Sequence, residues 1–98
     1  MLYAAICNDK PGNLQVRIDN RPAHVEWLNA INAAGGLAFA GPFLDADQKP
    51  TGSLVVIEAS NIDEATAIFA DDPYNLADLF ESVEVRAWNW VFNKPAQG

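Results

Sequence analysis

The alternation of apolar and polar positions predicts a sequence of strands and helices before any single residue is considered. Residues 2–7 form a short apolar run closed by the turn-rich Asn8-Asp9-Lys10-Pro11-Gly12-Asn13. Leu2, Ala4 and Ile6 point one way and Tyr3, Ala5 and Cys7 the other. Both sets are apolar, so this strand is expected to be covered on both faces. A helical lead-in over 14–19 precedes a main helix over 21–34, in which Leu28 and Ile31 share a stripe with His24. Asn20 or Arg21 is the expected cap, Pro22 falls in the first turn, and Gly35-Gly36 ends the helix.

Residues 37–43 read as a second strand containing Gly41-Pro42. Proline cannot donate to a ladder, which places this strand at an edge or at its own end. After a polar loop over 45–52, the β-branched run 53–59 is the clearest strand and is expected to be central. Asn61 and Glu64 have capping-box spacing for a helix carrying Ala65, Ile68 and Phe69 inward. Asp71-Asp72-Pro73-Tyr74 ends that helix and starts a short turn through Leu79. A last strand over 83–92 alternates Val83, Val85 and Ala87 against Glu84, Arg86 and Trp88. The order β-α-β-β-α-β is the α+β, ferredoxin-like pattern of a four-stranded antiparallel sheet with helices on one face. Residues 1–92 are read as one domain and 93–98 as a polar, mobile tail. Two helices cover only one face of such a sheet. A second copy of the chain on the other face, forming a homodimer, is therefore expected.

Composition narrows the function. A formal charge of −7 over 98 residues, with only six basic residues, argues against nucleic acid as a partner. Neither a signal sequence nor an apolar run long enough to span a membrane is read, so a cytoplasmic protein with no membrane partner is expected. One cysteine and one histidine cannot build a conventional zinc site, and no metal or other cofactor is expected. Asp45-x-Asp47 starts like a calcium loop, but the sixth position is Pro50 and the twelfth Val56, so that reading fails.

His24 is the residue with the most chemistry to offer. Near a helix start the positive end of the dipole would favour its neutral ring, which suits a general base. Its place on an apolar stripe leaves a second reading open, a core histidine satisfied by a carbonyl. Asp72 is placed to cap the short helix beginning at Pro73, with one oxygen left for an imidazole N–H. Arg21 and Arg17 precede His24 by about one and two helical turns. Arg21 is the candidate contact for an anion, and Arg17 is read as a solvated charge. Ser53 and Tyr74 could donate hydrogen bonds to a ligand or simply pack. Cys7 is read as an inert small hydrophobe before it is read as a nucleophile. Trp27, Trp88 and Trp90 are expected to make core or dimer contacts.

Arg17, Arg21-Pro22-x-His24, Gly41-Pro42, Gly52-Ser53 and Asp72-Pro73-Tyr74, taken in order, resemble the YciI-like (YCII-related) family over nearly the whole chain. The resemblance implies a dimeric α+β barrel, and a histidine–aspartate site that maps to His24 and Asp72. The function expected is cofactor-independent proton transfer on a small anionic carbonyl or lactone compound. His24 and Asp72 would be catalytic, and Arg21, Ser53 and Tyr74 substrate-binding. The alternatives are a non-catalytic metabolite-binding or interaction module of the same fold and, more distantly, an oxygenase with or without haem.

Overall fold

The computed structural model describes residues 1–96, and the tail expected over 93–98 lies partly outside them, at 97–98. Strand β1 (Leu2–Asp9) leads to helix α1 (Leu14–Ala33), then to β2 (Leu37–Leu44) and β3 (Pro50–Glu58). Helix α2 (Ile62–Ala70), the single turn α3 (Pro73–Leu76) and β4 (Phe80–Trp88) complete the chain. The sheet order is β2-β3-β1-β4 and every pairing is antiparallel. This is the ferredoxin-like β-α-β-β-α-β arrangement, with β1 and β3 central and the proline-bearing β2 at an edge.

Several expected boundaries differ: β1 runs on to Asp9, into the expected turn, and β3 starts at Pro50, inside the expected loop. The lead-in and main helix are one continuous 20-residue α1, with Pro22 in its interior and Asn13, not Asn20 or Arg21, at its N-cap. Pro22 is exposed, so the Ile18 carbonyl that loses its donor stays close to solvent, where water can satisfy it. His24 therefore sits mid-helix, and a dipole at the helix start does not act on it. The last strand runs from Phe80 to Trp88, starting earlier and stopping sooner than 83–92. Beyond it Trp90 turns back onto Phe39, with ring centroids 5.0 Å apart. Asn61 does cap α2, accepting from the Glu64 N–H at 2.8 Å, and Ala65 and Phe69 are buried beneath it.

The core lies between the helices and one sheet face, where Tyr3, Ala5 and Cys7 of β1 meet Val55 and Ile57 of β3. The opposite face carries Ile6, Leu54, Phe39 and Trp88 and has no helix over it. Gly52 is needed where β3 passes β1, because a Cβ there would lie 2.3 Å from the Cys7 carbonyl oxygen. A register shift between Asn8 and Asp9 sets Asp9 opposite Phe80, at the end of the strand beside α1.

Candidate functional site

The continuity of α1 builds the site. Arg17, Arg21, His24 and Leu28 lie on one helical stripe and together line a cleft of about 340 Å³. The opposite wall comes from Gly41 and Pro42 of β2 and Ser53 of β3, and Tyr74 of α3 lines it too. The site residues that resemblance selected are thus brought together, except that Asp72 stands behind His24 and does not line the cleft. A larger hollow of about 630 Å³ is lined by Met1, Glu58, Trp88 and Lys94. Its charged groups are exposed, the Met1 amine and Glu58 pairing with each other, and no buried ion pair or histidine reaches it.

His24 is 8% exposed and its Nδ1 lies 2.8 Å from Asp72 Oδ1. An ionised carboxylate only accepts, so Nδ1 carries the proton of this bond, and in the neutral ring the lone pair lies on Nε2. Nε2 has no partner among the described residues, and no buried side-chain nitrogen or oxygen among them lacks one. Nε2 is therefore reached by solvent, and the cleft is the cavity that His24 lines. Asp72 has an extended backbone before Pro73 and caps α3 by accepting from the Tyr74 N–H at 2.9 Å. The sequence suggested one oxygen for the cap and the other for the ring; instead Oδ1 serves both.

Tyr74 ties the two halves of the cleft together. Its ring stacks on His24 with centroids 4.0 Å apart and planes 17° apart. The guanidinium carbon of Arg17 lies 4.5 Å from the same ring centroid. Burial pushes the Tyr74 phenol above its ordinary pKa, partly offset by the positive charges of Arg17 and Arg21, so the hydroxyl stays protonated at neutral pH.

Arg17 corrects the sequence reading. It is 5% exposed, not solvated. Its Nε and Nη2 donate to Asp9 Oδ2 and Oδ1 at 2.7 and 2.8 Å, and Nη2 also donates to Ser53 Oγ at 2.9 Å. Burial alone would lower its pKa, but the hydrogen-bonded Asp9 carboxylate and the Tyr74 oxygen together raise it. Asp9 is the residue that sequence reasoning missed, having been read as part of a turn. Its parity with Cys7 on the strand was the available signal. Arg21, by contrast, makes no ion pair among the described residues and is exposed at the cleft.

Cys7 is no nucleophile. Burial first, then the Asp72 charge, pushes its thiol up to about 12, and it does not line the cleft. Asp45 Oδ1 accepts from the N–H groups of Asp47 and Lys49, which makes its loop a self-satisfied turn. Among the described residues there is no cluster of metal-type ligands, nor a helix long and apolar enough to cross a membrane.

Fold and cleft together define a protomer of the α+β barrel class with its polar groups gathered between α1, α3 and the β2–β3 edge. The model of the YCII-related domain matches residues 1–89, so the chain belongs to the YCII-related family. Protein YciI of Escherichia coli is 35% identical over 98 residues, covering 94% of this chain and all of that one, 100%. The derivative of benzaldehyde biosynthesis cluster protein C of Emericella nidulans is 35% identical over 69 residues, 63% of this chain and 70% of that protein. Among solved structures, 5-chloro-2-hydroxyhydroquinone dehydrochlorinase (TftG) from Burkholderia phenoliruptrix, in complex with 2,5-dihydroxybenzoquinone, superposes with a TM-score of 0.83. It is 37% identical, with 91% of this chain and 94% of that chain covered.

Proposed function

We propose that this protein is a small acid–base enzyme that needs no cofactor, acting on a compact anionic compound with ring carbonyl or hydroxyl groups. The observation that carries the reading is the His24–Asp72 hydrogen bond of 2.8 Å with Nε2 left free at the cleft. In this mechanism Nε2 takes a proton from a C–H or O–H of the substrate, whose bonding pair remains on the substrate. Asp72 holds the imidazolium that results, and Arg21 faces the negative charge left behind. The proton then returns to another atom of the substrate or departs with a leaving group. A cleft of about 340 Å³ holds a single-ring molecule. The dihydroxybenzoquinone bound by the dehydrochlorinase is of that size, which supports a hydroxylated ring here.

The test uses 2,5-dihydroxybenzoquinone itself. Calorimetry measures binding to the wild type and His24→Ala, and NMR follows deuterium exchange at the ring C–H positions. Binding by both with exchange accelerated only by the wild type supports the proposal. Binding without His24-dependent exchange supports a metabolite-binding module of the same fold instead.

We propose further that the open sheet face pairs with a second copy of the chain. Ile6, Leu54, Phe39 and Trp88 share that face, and a hollow of about 340 Å³ remains among them. Light scattering should give twice the protomer mass and respond little to salt, since the face is largely apolar, with Glu84 and Arg86 only on its β4 edge. A monomer mass at every concentration would end this reading.

A further inference from the structure

Asp72 lines a different cavity from His24, a hollow of about 200 Å³ between α2, β4 and β1. The carboxylate is only 3% exposed, and Oδ1 is used twice, by the His24 ring and by the Tyr74 N–H. Oδ2 has no partner among the described residues. No buried side-chain oxygen or nitrogen among them is left without one, so Oδ2 keeps open surface, and this hollow is the cavity Asp72 lines. Its walls are Phe69, Ala70, Phe80 and Val83, together with the thiol of Cys7. Two other polar side chains reach it, but Thr66 donates to the Ile62 carbonyl and Asn75 to the Ala70 carbonyl.

We propose that this hollow is a second binding site, for a small neutral hydroxylated ring of the phenol type whose O–H donates to Asp72 Oδ2. The size admits one ring, since an apolar cavity of about 150 Å³ already accepts benzene. A buried carboxylate oxygen accepts and repels anions, which excludes the anionic compound proposed for the front cleft. A metal ion would find one carboxylate oxygen and a thiol that ionises only near pH 12. An ordered water could be held by Oδ2 with Asn75 or Thr66, but it would leave the apolar walls uncovered. A neutral donor on an apolar body satisfies both Oδ2 and the walls. The same carboxylate holds the His24 ring, so a ligand here shares an acceptor group with the dyad. The coupling to catalysis rests on the function proposed above; the binding site does not.

The full-length protein is titrated with phenol and followed by ¹H–¹⁵N NMR, with anisole as the ring lacking an O–H. Phenol is expected to shift the amides of Phe69, Ala70 and Val83 saturably and to move the ring nitrogens of His24. Anisole is expected to bind at least about tenfold more weakly, as the loss of one hydrogen bond to a charged acceptor implies. Ala70→Leu, which fills the hollow from the exposed side of α2, should abolish phenol binding and leave dihydroxybenzoquinone binding in the front cleft unchanged. Shifts confined to Arg21 and Gly41, equal binding of anisole, or no saturable shift at all would each overturn the proposal. Failure of dihydroxybenzoquinone to bind or exchange would remove the front-cleft reading and leave this one standing.

Discussion

Two buried pairs join α1 to carboxylates elsewhere, and they differ in what they leave unused. In Arg17–Asp9 both carboxylate oxygens and two guanidinium nitrogens are engaged, with Ser53 taking a further bond. In His24–Asp72 one ring nitrogen and one carboxylate oxygen remain open, each towards a different cavity. The Asp9 carboxylate, with both oxygens taken, has bonding capacity only for structure, and Arg17 keeps only the Nη1 donors for the cleft it lines. The half-satisfied pair can still exchange a proton or accept a donor. The contrast separates two charged clusters that burial alone would rank alike.

The first way to break the comparison is to remove one partner of the saturated pair. Asp9→Ala leaves the Arg17 charge buried beside Tyr74 with no counter-ion, and should cost about 3–5 kcal/mol of folding free energy. Replacing both, Asp9→Leu with Arg17→Met, removes the stranded charge and should cost much less than the single change. Urea unfolding of the three proteins measures this. A single variant within about 1 kcal/mol of wild type would mean that the pair is not holding the fold.

The second test acts on the half-satisfied pair and should appear in rate more than in stability. His24→Ala should slow deuterium exchange of dihydroxybenzoquinone by about 10²–10⁴-fold, the usual worth of a positioned general base. Asp72→Asn keeps a cap acceptor for the Tyr74 N–H but no longer enforces a proton on Nδ1. ¹⁵N NMR of the imidazole should then show Nδ1–H as the dominant neutral tautomer in the wild type and a mixture in the variant. The same tautomer distribution in both proteins would mean that Asp72 does not orient the ring.

What could be read from the residues follows the same division. The central place of β3, the edge position of β2 and the Asn61 cap are local or periodic features and lie where the pattern put them, although β3 starts three residues earlier, at Pro50. The stripe Arg17, Arg21, His24 was legible as spacing, but Pro22 made it look like two helices. Interior proline costs about 3 kcal/mol, and tertiary burial of the Arg17 and His24 side of α1 offsets that cost here. Asp9 was harder to read for another reason, parity with Cys7 being its only signal. Its partner lies across a turn and its position depends on the irregular Asn8–Asp9 pairing with β4, neither of which has a period in the sequence. Asp72 was legible as a cap, but the double use of Oδ1 depends on how α3 meets α1.

Cys7 offers a smaller effect and a check on the back of the dyad. Its thiol titrates near 9.0 in the unfolded chain and is pushed up to about 12 in the fold by burial and by Asp72. Below pH 9.0 both states hold the proton and nothing is lost. Between 9.0 and about 12 the unfolded chain releases it first, so stability falls as pH rises, by at most about 1.4 kcal/mol per pH unit. Cys7→Ala should remove this component of the alkaline slope, and the folded wild type should resist thiol reagents at neutral pH. An unchanged slope from pH 9 to 11 would mean that the thiol is not desolvated as described.

The smallest expected effect comes from an ion pair of similar length at the surface. Lys10 Nζ lies 2.7 Å from Asp78 Oδ2, as close as Arg17 to Asp9, but the two side chains are 38% and 86% exposed. Water and salt screen this pair, and ordering two mobile side chains costs entropy, so Lys10→Ala should change stability by less than about 1 kcal/mol. The change should shrink further in 0.5 M salt, while the cost of Asp9→Ala should barely respond. Lys10 also donates its backbone N–H to the Leu79 carbonyl at 2.9 Å, a bond the alanine variant keeps. A loss at Lys10 rivalling that at Asp9 would show that distance, not burial and saturation, ranks the charged pairs of this fold.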